Sequence, residues 1–140
     1  MLELKDFEEA KKRVDEVIIP TPLIYSPAFS KECRNMVYIK PENLQRTGAF
    51  KIRGAYNKIM KMDDESKSRG LIASSAGNHA QGVAYAAQQL GVKATIVMPA
   101  HTPLIKVDAT KALGAEVVLH GEVYDDAYNK AVELQKEHGY

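Results

Sequence analysis

From Leu71 to the C-terminus, short apolar runs alternate with helical patterns, and this alternation limits the fold more than any other feature. Leu71-Ile72-Ala73-Ser74, Ala94-Thr95-Ile96-Val97-Met98 and Glu116-Val117-Val118-Leu119 read as strands. Residues 78–90, 103–113 and 124–137 read as helices, the first two stopped by Gly91 and Gly114. Thr102 is expected to cap the second, with Pro103 at its first position. Ala127, Ala131 and Leu134 recur at helical spacing in the third. Short, continuous, apolar strands are those covered on both faces. Alternation with helices joins them by right-handed crossovers into a parallel sheet. The expected fold class is α/β, a parallel sheet with helices on both faces.

The chain before Leu71 is organised differently. Leu4, Phe7, Ala10, Val14 and Val17 sit at roughly helical spacing among Glu8, Glu9, Lys11, Lys12 and Arg13, which gives an amphipathic opening helix. Pro20 and Pro22 close it and force an extended passage. Residues 23–25 and 36–40 read as strands, and Ser26 with Pro27 opens a short helix through Glu32. A helix is expected over 50–62, with Ile52, Ala55, Tyr56 and Ile59 on one face, followed by a polar turn over 63–70. The change of pattern places a boundary near 41–50. We draw it as a segment 1–45 and an α/β domain 46–140. Three strands make a thin core, and His138-Gly139-Tyr140 looks like the exit toward another strand. The chain is expected to be a piece of something longer.

Composition narrows the function. A net charge of +1 leaves no footprint for nucleic acid or an anionic membrane. No apolar run approaches the ~18 residues of a membrane span, and the charged N-terminus lacks the apolar core of a signal peptide. A single cysteine, Cys33, excludes an intrachain disulfide framework, suits a reducing cytoplasm and reads as a small apolar filler. No His, Cys and carboxylate cluster has metal-ligand spacing, so no metal is expected. His101, His120 and His138 read as surface residues.

Two stretches carry chemistry. The first is Glu42-Asn43-Leu44-Gln45-Arg46-Thr47-Gly48-Ala49-Phe50-Lys51-Ile52-Arg53-Gly54-Ala55. Gly48 and Ala49 are small and leave room for a flat group to approach the backbone. Phe50 offers an aromatic face. Lys51 stands at a helix entrance, where the helix dipole disfavours a cation. That field, together with burial, is expected to lower its pKa and free its amine for imine chemistry. The second stretch is Ser74-Ser75-Ala76-Gly77-Asn78-His79-Ala80-Gln81-Gly82, which joins the carboxyl end of a strand to a helix start. Open parallel sheets bind ligands there. Free amides and hydroxyls at that point can cradle a carboxylate or a phosphate. Asn78 can hold a ring hydroxyl and His79 can serve as a base. Ser, Asn and Gly are equally cap and turn residues. The loop is neither a Walker motif nor a Rossmann glycine pattern.

Together the two stretches resemble the fold type II pyridoxal-phosphate enzymes, the tryptophan synthase β-like superfamily. The first is similar to the lysine attachment motif of its serine/threonine dehydratases, through Glu42 and then Thr47-Gly48-Ala49-Phe50-Lys51-Ile52-Arg53-Gly54-Ala55. The second is similar to the family's asparagine loop. Pro22-Leu23, Met98-Pro99, Lys106-Val107, Ala109-Thr110 and Gly114-Ala115-Glu116-Val117-Val118 extend the likeness over nearly the whole chain, nearest to the threonine dehydratases (threonine ammonia-lyases). The resemblance implies pyridoxal 5'-phosphate as cofactor, an amino acid as substrate and a homo-oligomeric complete enzyme. It implies that Lys51 bonds the cofactor covalently and takes the substrate's α-proton, that Phe50 packs on the cofactor ring, and that Asn78 hydrogen-bonds its phenolic oxygen. Ser75, Gly77, Asn78 and His79 would line the pocket for the substrate carboxylate. Segment 1–45 would belong to the family's larger domain and 46–140 to its smaller one, incomplete at its C-terminal end. The expected reaction is α,β-elimination from L-threonine, and from L-serine, to the 2-oxo acid and ammonia. The glycine-rich phosphate cup and the partner of the pyridine nitrogen would lie beyond residue 140. The piece alone is therefore expected to be inactive.

Ala76 separates relatives. Eukaryotic serine racemases carry a serine at the matching place, whose hydroxyl protonates the opposite face of the carbanion, whereas Ala76 has no proton to give. Elimination is expected over racemisation. The rival readings are a serine racemase-like enzyme and a non-catalytic α/β module that binds a small anion at residues 74–79.

Overall fold

The computed structural model describes residues 1–140. Strands β3 (Leu71–Ser74), β4 (Ala94–Met98) and β5 (Glu116–Leu119) form a parallel sheet in the order β3-β4-β5. Leu71 pairs with Ala94 and Val97 with Val118, so β4 is central and β3 and β5 are edges. Every residue of β4 is buried. Its period-2 alternation sends Ala94, Ile96 and Met98 to one face and Val97 to the other.

Helices cover both faces. On the face of Ile96 lies α5 (Asn78–Gln89), whose Ala80, Val83, Ala84 and Ala87 are buried, together with Val107 of α6 (Leu104–Ala112). On the opposite face α7 (Tyr124–His138) sets Ala127 and Ala131 against Val97. The two cores differ in size, 17 buried residues against 3, so most apolar burial lies on the α5 side. There α3 (Lys51–Met60) packs against α5 through Ile52, Ala55, Tyr56 and Ile59, the four residues of its expected face. Helix α1 (Leu4–Val14) packs in turn on α3, with Val14 and Val17 in the same core.

Strands β1 (Ile24–Tyr25) and β2 (Tyr38–Ile39) form a separate antiparallel ribbon, with the Tyr25 and Tyr38 rings 5.5 Å apart. Between them α2 (Pro27–Cys33) starts as expected, the Ser26 hydroxyl accepting from the Phe29 amide at 3.4 Å. Both strands are shorter than the runs 23–25 and 36–40 suggested.

Residues 63–70 are not a simple turn. They contain α4 (Asp64–Arg69), capped by Asp63, whose carboxylate accepts from the Ser66 amide at 2.6 Å. Acidic Asp64 and Glu65 open this helix and Lys67 and Arg69 close it, matching its dipole. Thr102 does not cap α6. Its hydroxyl donates back to the Pro99 carbonyl at 2.7 Å, and Pro103 is the cap. Leu4 and Phe7, on the apolar stripe of α1, are 74% and 60% exposed. Only the C-terminal part of that stripe reaches α3. No helix is long and apolar enough to cross a membrane, and no three His, Cys, Asp or Glu side chains gather as metal ligands do.

Candidate active site

The lysine stretch is built as a bolted turn. Two short 3₁₀ turns, Glu42–Leu44 and Arg46–Gly48, lead from β2 to α3. Gln45 between them is buried, and its side-chain amide donates to the Ile19 carbonyl at 2.8 Å while accepting from the Ile19 amide at 2.8 Å. Arg46 Nε donates to the Val17 carbonyl at 2.9 Å, and Lys40 Nζ to the Thr21 carbonyl at 2.7 Å. Glu42 completes the joint. Arg53 Nε and Nη2 donate to its two carboxylate oxygens at 2.9 and 2.8 Å, and the Thr21 hydroxyl donates to it at 2.6 Å. The Arg53 hydrogen bond, outweighing partial burial, holds the Glu42 carboxyl at about 2.

Within this frame the backbone is strained. Thr47 lies in the left-handed region at φ 61°, an uncommon place for a β-branched residue, and Gly48 follows at φ 66°. Ala49 is extended and buried. Phe50 caps α3 and is 57% exposed. Lys51 is the first residue of α3, and its Nζ stands 5.0 Å from the centre of the Phe50 ring. Its residue is exposed, which corrects the expectation of burial: the side chain leaves the first turn over the open Phe50 face rather than into the core.

The second stretch faces the first. The Ser75 amide donates to the Val97 carbonyl at 3.1 Å and extends the β3–β4 ladder by one residue. The Gly77 amide donates to Ser75 Oγ at 3.4 Å, and Gly77 caps α5. The amides of Asn78, His79 and Ala80 meet no acceptor in the chain. Asn78 and His79 are exposed, with His79 in the first turn of α5 beside Lys51. Loss of hydration around the imidazole, and then the Lys51 charge, push the His79 pKa below its ordinary value. The neutral ring is therefore favoured, able to accept a proton or a hydrogen bond.

Helix α3 packs against α5, which also touches the Arg46–Gly48 turn, and of the asparagine loop it is His79 that the Lys51 charge reaches. Phe50 precedes Lys51 at the start of α3, and Ser75, Gly77 and Asn78 lie in the passage from β3 into α5. The 390 Å³ cavity between α3, β3 and α7 is not this place; of these residues only His79 lines it. A 330 Å³ cavity on the α7 side is lined by Ser74, His79, Tyr124 and Tyr128.

Two buried hydroxyls, Thr47 Oγ1 and Ser74 Oγ, have no hydrogen-bond partner. One lies in each stretch, and buried polar groups without partners are rare. A reachable amine, an open aromatic face, free helix amides and spare hydroxyls are a donor set that fits an aromatic aldehyde with an acidic substrate group beside it. Sequence reasoning missed the Glu42–Arg53–Thr21 joint and the Thr47 strain. The family-like spacing of Glu42 and Arg53 was visible, but their pairing was not.

The family model for "Pyridoxal-phosphate dependent enzyme" matches residues 14–140. An L-threonine ammonia-lyase of Thermotoga maritima is 50% identical over 139 residues, 99% of this chain and 35% of that protein. The solved processed form of threonine deaminase isoform 2 from Solanum lycopersicum superposes with TM-score 0.86 at 41% identity, over 99% of this chain and 39% of that one. Maize serine racemase superposes with TM-score 0.90 at 34% identity, over 98% of this chain and 42% of that one. The chain therefore spans between about a third and less than half of these relatives' lengths. With the family's pattern running from Val14 to the last residue, this chain belongs to the fold type II pyridoxal-phosphate-dependent enzymes.

Proposed function

We propose that the complete protein is a threonine ammonia-lyase, converting L-threonine to 2-oxobutanoate and ammonia, and L-serine to pyruvate and ammonia. The observation that carries this reading is the packing of α3, which Lys51 opens, against α5, which the asparagine loop opens. The names of the relatives support the substrate.

Bound pyridoxal phosphate supplies an electron sink for the pair left when the substrate's α-proton departs. Lys51 Nζ would hold the cofactor through its aldehyde carbon and, as a free amine, would take the proton from the substrate Cα. Phe50 would orient the ring by stacking. Asn78 would donate to the ring's phenolic oxygen. Ser75, Gly77 and His79, with the free amides of α5, hold the substrate carboxylate at the positive end of that helix. In the balance, the β-hydroxyl leaves as water, and a second water enters as ammonia is released.

Residues 1–45 we assign to the larger domain and 46–140 to the smaller, a division that the separate β1–β2 ribbon supports. The piece by itself we take to be inactive. A cytoplasmic complete enzyme fits the single cysteine, Cys33, which is exposed rather than the packed filler expected of it; self-assembly of that enzyme we take from the family resemblance alone.

Borohydride treatment of the full-length protein mixed with pyridoxal phosphate, followed by peptide mass spectrometry, tests the assignment. A pyridoxyl group on Lys51, and loss of threonine turnover in Lys51→Ala, are expected. Label elsewhere, or turnover surviving in Lys51→Ala, would sink it.

A further inference from the structure

Helix α5 carries one buried residue that the reaction does not use and that a helix does not favour. Gly82 lies in its interior, where glycine is the poorest helix former except proline. Its φ is not in the left-handed region, so backbone conformation does not call for glycine. Space does. A Cβ at this position would stand 3.1 Å from the Lys51 carbonyl carbon, 3.1 Å from Lys51 Cβ and 3.2 Å from the Ile52 amide nitrogen. Two of these are backbone atoms, which cannot swing aside as a side-chain tip would. At Gly54 and Gly77, also flanking the site, an added Cβ meets nothing within 4 Å. Of these three glycines only Gly82 is crowded, and what crowds it is the root of the lysine.

The position along α5 gives this contact its meaning. Gly82 follows Asn78 by four residues and His79 by three, so all three share a helix face. Ile52, next to Lys51, is fully buried, so the start of α3 has little freedom to retreat.

We propose that Gly82 is a positioning residue: its missing side chain sets how closely the root of Lys51 sits to the Asn78–His79 end of α5. The chemistry of that placement rests on the function proposed above, but the contact does not. A purely structural role would show as lost stability. A positioning role shows at the lysine itself, because alanine's better helix preference opposes the added crowding.

The test is Gly82→Ala in the full-length protein. Without cofactor, the rate of reductive methylation of Lys51 relative to Lys58, read by peptide mass spectrometry, is expected to change about three-fold or more. The His79 imidazole, followed by NMR, is expected to titrate closer to its ordinary value as the lysine's charge recedes. With cofactor and threonine, kcat is expected to fall about ten-fold or more while KM stays within about two-fold. An unchanged methylation ratio with an unchanged His79 titration overturns the proposal. So does wild-type protein in which the Gly82 Hα protons show no nuclear Overhauser effect to Lys51 Hβ or the Ile52 amide, a measurement that stands if the variant does not fold. If the wild type neither takes up pyridoxal phosphate nor deaminates threonine while the methylation ratio still shifts, the proposed reaction fails and the spacer stands.

Discussion

Ala76 stands between the Ser75 hydroxyl and the Gly77 cap, packed partly on the main core, and brings no dissociable proton to the loop. In the reaction proposed above, a carbanion facing it would have to be protonated there by something else. Ala76→Ser in the complete enzyme would place a hydroxyl at that spot. We expect measurable racemisation of serine to appear, with elimination still the faster reaction; chiral chromatography of the serine left after partial turnover reads the outcome. High racemase activity before the change would remove Ala76 from the argument. Lys51 is the counter-example at this scale. Its identity and its place on a helix entrance were readable from the motif, yet its exposure was not, because exposure depends on where neighbouring elements stop.

At the scale of elements, the joint beneath α3 holds the turn that leads to Lys51 in place. Glu42 reaches Arg53 on α3 and Thr21 on the segment after α1, so one carboxylate ties three pieces of backbone. Its depressed pKa is a stability statement with a definite sign. The unfolded chain binds the proton more tightly, so the contribution is whole above about 4.5 and fades as the pH falls toward about 2. Glu42→Gln should cost ~2 kcal/mol near neutral pH, allowing for partial exposure, and flatten the acid limb of a denaturation series. An acid limb unchanged in the variant would contradict this.

Elements with strong periodicity were legible. The α3 face of Ile52, Ala55, Tyr56 and Ile59 and the continuous apolar β4 follow from residue spacing alone. Helix α4 was not, since six polar residues carry no apolar stripe and its capping carboxylate reads equally as a turn. The Glu42–Arg53 pair bridges eleven positions through tertiary approach, and Gly82 reads as a helix defect until Lys51 is seen against it.

The whole molecule is layered: α7, the sheet, α5 with α6, then α3 and α1. The candidate site opens where the third and fourth layers begin, beside the carboxyl end of β3. Its visible anion donors are the three free amides of α5, which suit a carboxylate and leave a dianionic phosphate little else to hold. The 140-residue chain by itself should therefore show no stable visible absorbance on mixing with pyridoxal phosphate. A persistent band, lost in Lys51→Ala, would refute that.

Strand β3 pairs on one side only, with β4. Its outer rim offers a row of unpaired donors and acceptors, the kind of seam along which polypeptides zip together. Concentrating this chain in isolation therefore invites edge-to-edge pairing of sheets, and a lysine introduced along that rim would be the simplest way to keep such preparations monodisperse.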